Sequence, residues 1–194
     1  MALTPSTMLA LGTPCPRFSL RNVVDQQMVS LSDYEGAKGL LVLFICNHCP
    51  YVKLLKKHLA ELARAYQEQG IATVAINSND TISYPDDAPP RMKADAEEFG
   101  YPFPYLFDEK QEVAKDFRAA CTPDIYLFDQ DQKLVYRGQY DDSRPGNNKP
   151  VTGADLRRAL DALLAGQTIP EDEQKPATGC NIKWKAGNAP KYFG

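Results

Sequence analysis

The chain carries five cysteines and two histidines, and three of these seven residues fall in one nine-residue stretch, F-I-C-N-H-C-P-Y-V at 44–52. Cys49 is followed by Pro50. Proline suits the first position of a helix, where its missing N–H has no intrahelical partner to lose. Cys49 is therefore the expected N-cap, facing unpaired backbone N–H groups and the positive end of the helix dipole. Both favour thiolate over thiol. A free cysteine titrates near 8.5, and helix N-termini bring the value to roughly 3.5–7.5. Such a thiolate attacks a disulfide or a peroxide at neutral pH, which makes Cys49 the candidate nucleophile.

The other cysteines read less sharply. Cys46 ends an apolar run and is either a redox partner or core. Cys121 stands before Thr122-Pro123 and the strand-like D-I-Y-L-F. Proline entering a strand in that context suits a cis bond. Cys180 lies near the single tryptophan, Trp184, and reaches Cys49 if the tail folds over the site. Cys15 reads as structural. His48 is placed to stabilise the thiolate, although side chains at adjacent positions often point apart. Cys46, His48 and Cys49 are also soft ligands that suit Cu(I) or Zn(II). A four-ligand structural zinc site is disfavoured, since two histidines and a single Cys-x-x-Cys are present. Lys53, Lys56 and Lys57 read as a solvated helix face, His58 as a rim residue, and Asp141–Arg144 as a polar loop held by its own hydrogen bonds.

The positioning elements follow from periodicity. Leu40–Ile45 is a continuous apolar run, as in a strand buried on both faces. Val52, Leu55, Leu59, Leu62 and Tyr66 recur at three and four residues, predicting a helix over 50–69 that ends at Gly70. Ile71–Ile76 reads as a second buried strand, so the middle of the chain is βαβ with a parallel pair. Upstream, Phe18 and Leu20 with Val29 and Leu31 predict a hairpin. Downstream lie a Pro/Asp/Asn-rich loop (77–90), a helix to Phe99, an edge or short strand in Y-P-F-P-Y-L-F, and a short helix over 111–117. An antiparallel hairpin of Ile125–Phe128 with Leu134–Arg137 follows. A final helix starts from a capping-box-like Thr152–Asp155. The fold class is α/β: a mixed sheet, βαβ then ββα, with helices on both faces and an N-terminal hairpin extension. Residues 1–166 form the domain, and 167–194 a Pro/Gly-rich tail packing on it.

Composition narrows the function. The chain has 194 residues, 43% hydrophobic and 24% charged, with a net charge of −3. That balance argues against a nucleic-acid binder driven by phosphate neutralisation and against a polybasic membrane patch. No apolar stretch reaches the ~18 residues of a membrane span. The N-terminus lacks a basic region followed by a long apolar one, so no signal peptide is read and the cytoplasm is expected. Thiols are held reduced there, and an odd number of cysteines points to redox groups or metal ligands rather than a disulfide framework.

A strand, then Cys-Pro-Tyr at a helix start, then Thr-Pro before an antiparallel hairpin, resembles the thioredoxin superfamily. G-T-P-C-P-R-F-S-L (12–20) and G-Y-P-F-P-Y-L-F-D (100–108) resemble its redoxin branch, the alkyl hydroperoxide reductase/thiol-specific antioxidant group. N-H-C-P-Y-V and the tail G-C-N-I-K-W-K are similar to a peroxiredoxin-like subgroup of that branch. The resemblance implies a rim of Pro50, Tyr51, Thr122 and Pro123 that receives an extended substrate backbone. It also marks departures. The second thioredoxin cysteine would stand at Val52. The peroxiredoxin hydroxyl residue would stand at Cys46. The peroxiredoxin arginine has Arg137 as its nearest candidate.

The expected function is a peroxiredoxin-like thiol–disulfide oxidoreductase, an antioxidant activity in which the Cys49 thiolate reduces a hydroperoxide or a disulfide. Cys46, Cys121 or Cys180 would resolve it. No organic cofactor is needed, since a thioredoxin- or glutathione-type thiol reductant restores the electrons. Superfamily habit implies a homodimer. The alternatives are a redox-inactive thioredoxin-like scaffold and a Cu/Zn-binding module using Cys46, His48 and Cys49.

Overall fold

The computed structural model describes residues 3–193. In chain order the elements are β1 (Leu3–Pro5), β2 (Ser19–Asn22), β3 (Met28–Ser30), β4 (Gly39–Phe44), α1 (Pro50–Gln67), β5 (Ile71–Asn77), α2 (Pro89–Phe99), β6 (Tyr105–Phe107), α3 (Glu112–Asp116), β7 (Cys121–Thr122), β8 (Asp124–Asp129), β9 (Leu134–Arg137), α4 (Ala154–Leu164) and β10 (Thr178–Asn181). Seven strands form the main sheet in the order β3-β2-β6-β5-β4-β8-β9. β4 runs parallel to β5, and β5 parallel to β6. β8 returns antiparallel to β4, and β9 to β8. This is the mixed βαβ–ββα sheet of the thioredoxin fold, with the N-terminal hairpin β2–β3 added on the β6 side.

β4 sits between partners because all six of its residues are apolar or glycine and all are buried. Alternation sends its side chains to two cores. Leu41, Leu43 and Ile45 join the α1, α2 and α4 residues Val52, Leu59, Met92 and Leu160. Leu40, Val42 and Phe44 join Val113 and Ala114 of α3 on the other face. Phe44, Phe117 and Tyr126 meet edge to face, which adds geometric specificity to that second core.

Three expectations change. β6 is short, as one of the two expected alternatives had it, but it is not an edge: it lies between β2 and β5, because the hairpin occupies its outer side. α4 does not start on a capping box: its N-cap is Gly153 at φ 65° with no side-chain cap, and Asp141 Oδ2 accepts the Thr152 and Gly153 N–H groups at 2.7 Å instead. Lys56 is 4% exposed rather than solvated; its ammonium pairs with Asp95 and donates to the Asn47 carbonyl at 3.3 Å.

The tail is ordered by pairing. β10 lies between β1 and β7 in a separate three-stranded antiparallel sheet. Its register sets Cys180 opposite Leu3 on one side and Thr122 on the other.

Candidate active site around Cys49

β4 ends on Phe44, and the 45–48 loop carries the chain over the carboxyl end of the sheet into α1. Cys49 is the N-cap at φ −65° and ψ 124°, with Pro50 at the first helical position. The Lys53 N–H closes the first helical bond on the Cys49 carbonyl at 2.9 Å. The Thr122–Pro123 peptide is cis and lies beside it.

Three sulfurs meet there. Cys49 Sγ is 2.9 Å from Cys180 Sγ and 3.1 Å from the Thr122 carbonyl. Cys46 Sγ is 3.4 Å from Thr122 Oγ1. Cys49 is held at about 5, far below an ordinary thiol. The leading cause is a hydrogen bond from Cys46, which outweighs the opposing effect of burial, with help from Cys180 and the Val52 N–H. Cys49 makes no side-chain capping hydrogen bond of regular geometry, so neighbouring thiols rather than orphan helical N–H groups carry most of the effect. At Cys46, Cys49 works to raise the thiol and Thr122 to lower it. Thr122, Cys46 and Cys49 are thus linked: Thr122 Oγ1 touches Cys46 Sγ, and Cys46 lowers Cys49. Burial and donation to Cys49 push Cys180 up to about 12, and burial raises Cys46 and Cys121 as well. Of these thiols Cys49 is the one lowered, while Cys46, Cys121 and Cys180 are raised.

His48 turns the other way. Its Nδ1 donates to Asp87 Oδ2 at 2.6 Å, and its ring stacks on Tyr84. Asp87 is fully buried and accepts four hydrogen bonds, from the backbone N–H groups of Asn47 and His48, from His48 Nδ1 and from Asn79 Nδ2. Burial works to raise its carboxyl, and these donors overcome it, leaving it below the usual range. Donor atoms of Cys46, His48 and Asp87 all lie within 4.8 Å of one another. The carboxylate oxygens are spent on those four donors and Nδ1 holds the proton between them. The donor set therefore works as a clamp on the 46–49 loop rather than as an open metal-ligand set.

The remaining expected residues are placed as follows. Tyr51 is half-buried and lines a small hollow with Pro123 and Thr178, while Pro50 is exposed. Cys121 is buried beside the cluster, with its sulfur on the Pro123 carbonyl at 3.5 Å. Arg137 is not brought to the thiols. Its guanidinium is engaged by the Leu9 carbonyl, Gln174 Oε1 and Glu171 Oε1, where it fastens the tail to β9. Cys15 sits in the core packed on α3. Sequence reasoning missed Asp87 and Asn79, because a buried polar pair inside a Pro/Asp-rich segment has no periodic signature, and β1, because three residues are too few to show a period.

The family model for the AhpC/TSA family matches residues 11–137, which include the Cys49 loop and the cis-proline turn. The chain belongs to the AhpC/TSA family. With that membership go the thioredoxin fold and the thiol-dependent oxidoreductase class expected from the sequence. The thiol–disulfide oxidoreductase ResA of Geobacillus thermodenitrificans is 27% identical over 133 residues, 68% of this chain and 70% of that protein. Alkyl hydroperoxide reductase E of Mycobacterium tuberculosis is 28% identical over 171 residues, 81% of this chain and 98% of that protein. The crystal structure of an uncharacterised conserved protein from Geobacillus kaustophilus superposes with a TM-score of 0.94 at 55% identity, covering 97% of this chain and 99% of that one. Among the described residues no helix is long and apolar enough to cross a membrane.

Proposed function

We propose that this redoxin is a two-electron thiol reductase in which Cys49 attacks and Cys180 resolves. The observation that carries the reading is the 2.9 Å approach of the two sulfurs, with the Cys49 thiol lowered and the Cys180 thiol raised. With a disulfide R–S–S–R′, the Cys49 thiolate forms a mixed disulfide with one sulfur and expels the other as a thiolate. Cys180 gives its proton to the leaving thiolate and attacks the Cys49 sulfur. The Cys49–Cys180 disulfide closes and the second sulfur leaves as a thiolate, which takes a proton from solvent. With a hydroperoxide ROOH, the Cys49 thiolate takes the distal oxygen as a sulfenic acid, the O–O bond breaks and RO⁻ departs as ROH with a proton from solvent; the Cys180 thiol then attacks the Cys49 sulfur, and its proton leaves with the hydroxyl as water. In either case the protein gives up two electrons, and a thiol reductant of thioredoxin or glutathione type returns them.

Disulfide exchange is the favoured reaction. A peroxide site needs a cation and a hydroxyl at the oxygen being transferred; Arg137 is committed to Glu171 and Gln174, and Cys46 stands in the hydroxyl position. Turnover of a low-molecular-weight disulfide and of a hydroperoxide, recycled with dithiothreitol, tests the assignment. Cys49→Ser is expected to abolish both. Cys180→Ser is expected to keep the first attack and to accumulate a mixed disulfide or sulfenic acid on Cys49. Undiminished turnover in Cys49→Ser overturns the reading.

A further inference from the structure

An extended polypeptide that brings a disulfide to a sheet docks by adding a strand to a free edge. Beside Cys49 that edge is β7, and it is taken. β10 pairs antiparallel with it, Cys180 opposite Thr122 and Asn181 opposite Cys121. The fit is close. A Cβ built on Gly179 would lie 2.0 Å from the Thr122 carbonyl oxygen and 2.8 Å from its carbon, so only glycine fits before the cysteine. The strand is fastened along its length. β1 covers its outer edge, and the Ile182 N–H donates to the Ala120 carbonyl at 3.0 Å. The Lys183 N–H reaches Asn79 Oδ1 at 2.8 Å, and the Lys183 carbonyl accepts from the Asp80 N–H and from Gln111 Nε2. Cys49 is left 0% exposed. A groove of about 570 Å³ is lined by Asn47 and His48 of the 46–49 loop and does not reach Cys49 itself.

We propose that β10 is a tethered occupant of the peptide edge beside Cys49, so that the site takes low-molecular-weight disulfides and hydroperoxides and excludes disulfides carried on polypeptides until the strand lifts. The inference rests on Cys49 being the nucleophile and names the substrate class of that same site. Strand exclusion costs a polypeptide the whole β7–β10 ladder, whereas a small oxidant needs only enough room for one bond to reach the sulfur.

The test uses the full reduced chain and compares single-turnover oxidation by hydroxyethyl disulfide with that by insulin. Wild type is expected to react at least about tenfold faster with the small disulfide at equal disulfide concentration, since exchange rates depend on access. Gly179→Val drives a side chain into the Thr122 carbonyl and is expected to release the strand. Attack of Cys49 on the small disulfide persists, and a Cys49–insulin mixed disulfide, absent with wild type, appears by mass spectrometry. Asn79→Ala, which frees the Lys183 N–H, is expected to move the insulin rate in the same direction and serves if Gly179→Val does not fold. Equal rates for the two oxidants in wild type overturn the inference. So does a Gly179→Val protein that reacts with the small disulfide but gains nothing toward insulin. A Cys49 inert to both oxidants in every form overturns the proposed function instead, and the inference with it.

Discussion

Asn79 and Asp87 are joined by a hydrogen bond of 2.7 Å, and that bond connects the two halves of the site. Asp87 holds the loop that leads to Cys49 through the Asn47 and His48 N–H groups. Asn79 holds the segment that follows Cys180 through the Lys183 N–H. One carboxamide and one carboxylate thus fix the relative position of two sulfurs 131 residues apart in sequence.

Asp87→Asn tests this clamp. The amide cannot accept on both atoms, so at least one buried donor loses its partner. Hydrogen bonds to charged groups contribute about 1.5–3 kcal/mol. Urea unfolding should show a loss of about 2–3 kcal/mol, and closure of the Cys49–Cys180 disulfide should slow. Unchanged stability would show that the loop is held by other contacts.

The lowering of Cys49 by Cys46 makes a prediction about titration. In Cys46→Ala the leading donor to the Cys49 anion disappears, and the Cys49 pKa should rise by about one to two units. Cys46→Ser keeps a donor and should stay close to wild type. The ultraviolet absorbance of the thiolate, taken as wild type minus Cys49→Ser, reads the value directly. An alanine variant that titrates like wild type would assign the effect to the helix instead.

The same titration carries a stability consequence. Cys49 is lowered from an ordinary 9.0 to about 5. A group lowered on folding contributes stability that is present above its unfolded value and lost as pH falls through its folded one. Reduced wild type should therefore lose stability relative to Cys49→Ser between about pH 9 and about pH 5. Parallel stability–pH curves for the two proteins would contradict the low Cys49 value.

The central strand offers a check on the fold. Leu43 is 0% exposed and belongs to the core beneath α1. Leu43→Ala should cost about 2–5 kcal/mol by chemical denaturation. A smaller loss would mean that α1 settles into the space, which would also move Cys49.

Much of this was legible in the residues. The apolar runs Leu40–Ile45 and Ile71–Ile76 and the α1 stripe specify the parallel pair, because burial on both faces and a three-to-four spacing leave few other arrangements. Cys49 followed by Pro50, and Thr122-Pro123, marked the two turns that meet. The tail was less legible. Its four-residue strand has no alternation of its own, and its position comes from pairing with β1 and β7, which lie 173 and more residues upstream and 56 and more residues upstream respectively. Arg137 was misplaced for a related reason: its register on β9 was right for a strand, but its partners Glu171 and Gln174 come from the tail. Asp87 gave no signal because a buried acceptor is identified by the donors around it, and those are scattered over 47, 48 and 79.

Identification of the disulfide formed when the fully reduced protein receives one equivalent of oxidant is the most direct measurement. Peptide mapping without reduction should recover Cys49 joined to Cys180, with Cys15, Cys46 and Cys121 still alkylatable after unfolding. Recovery of Cys49 joined to Cys46 or Cys121, or left as a thiol while the oxidant is consumed elsewhere, would contradict the assignment of these two sulfurs as the redox couple.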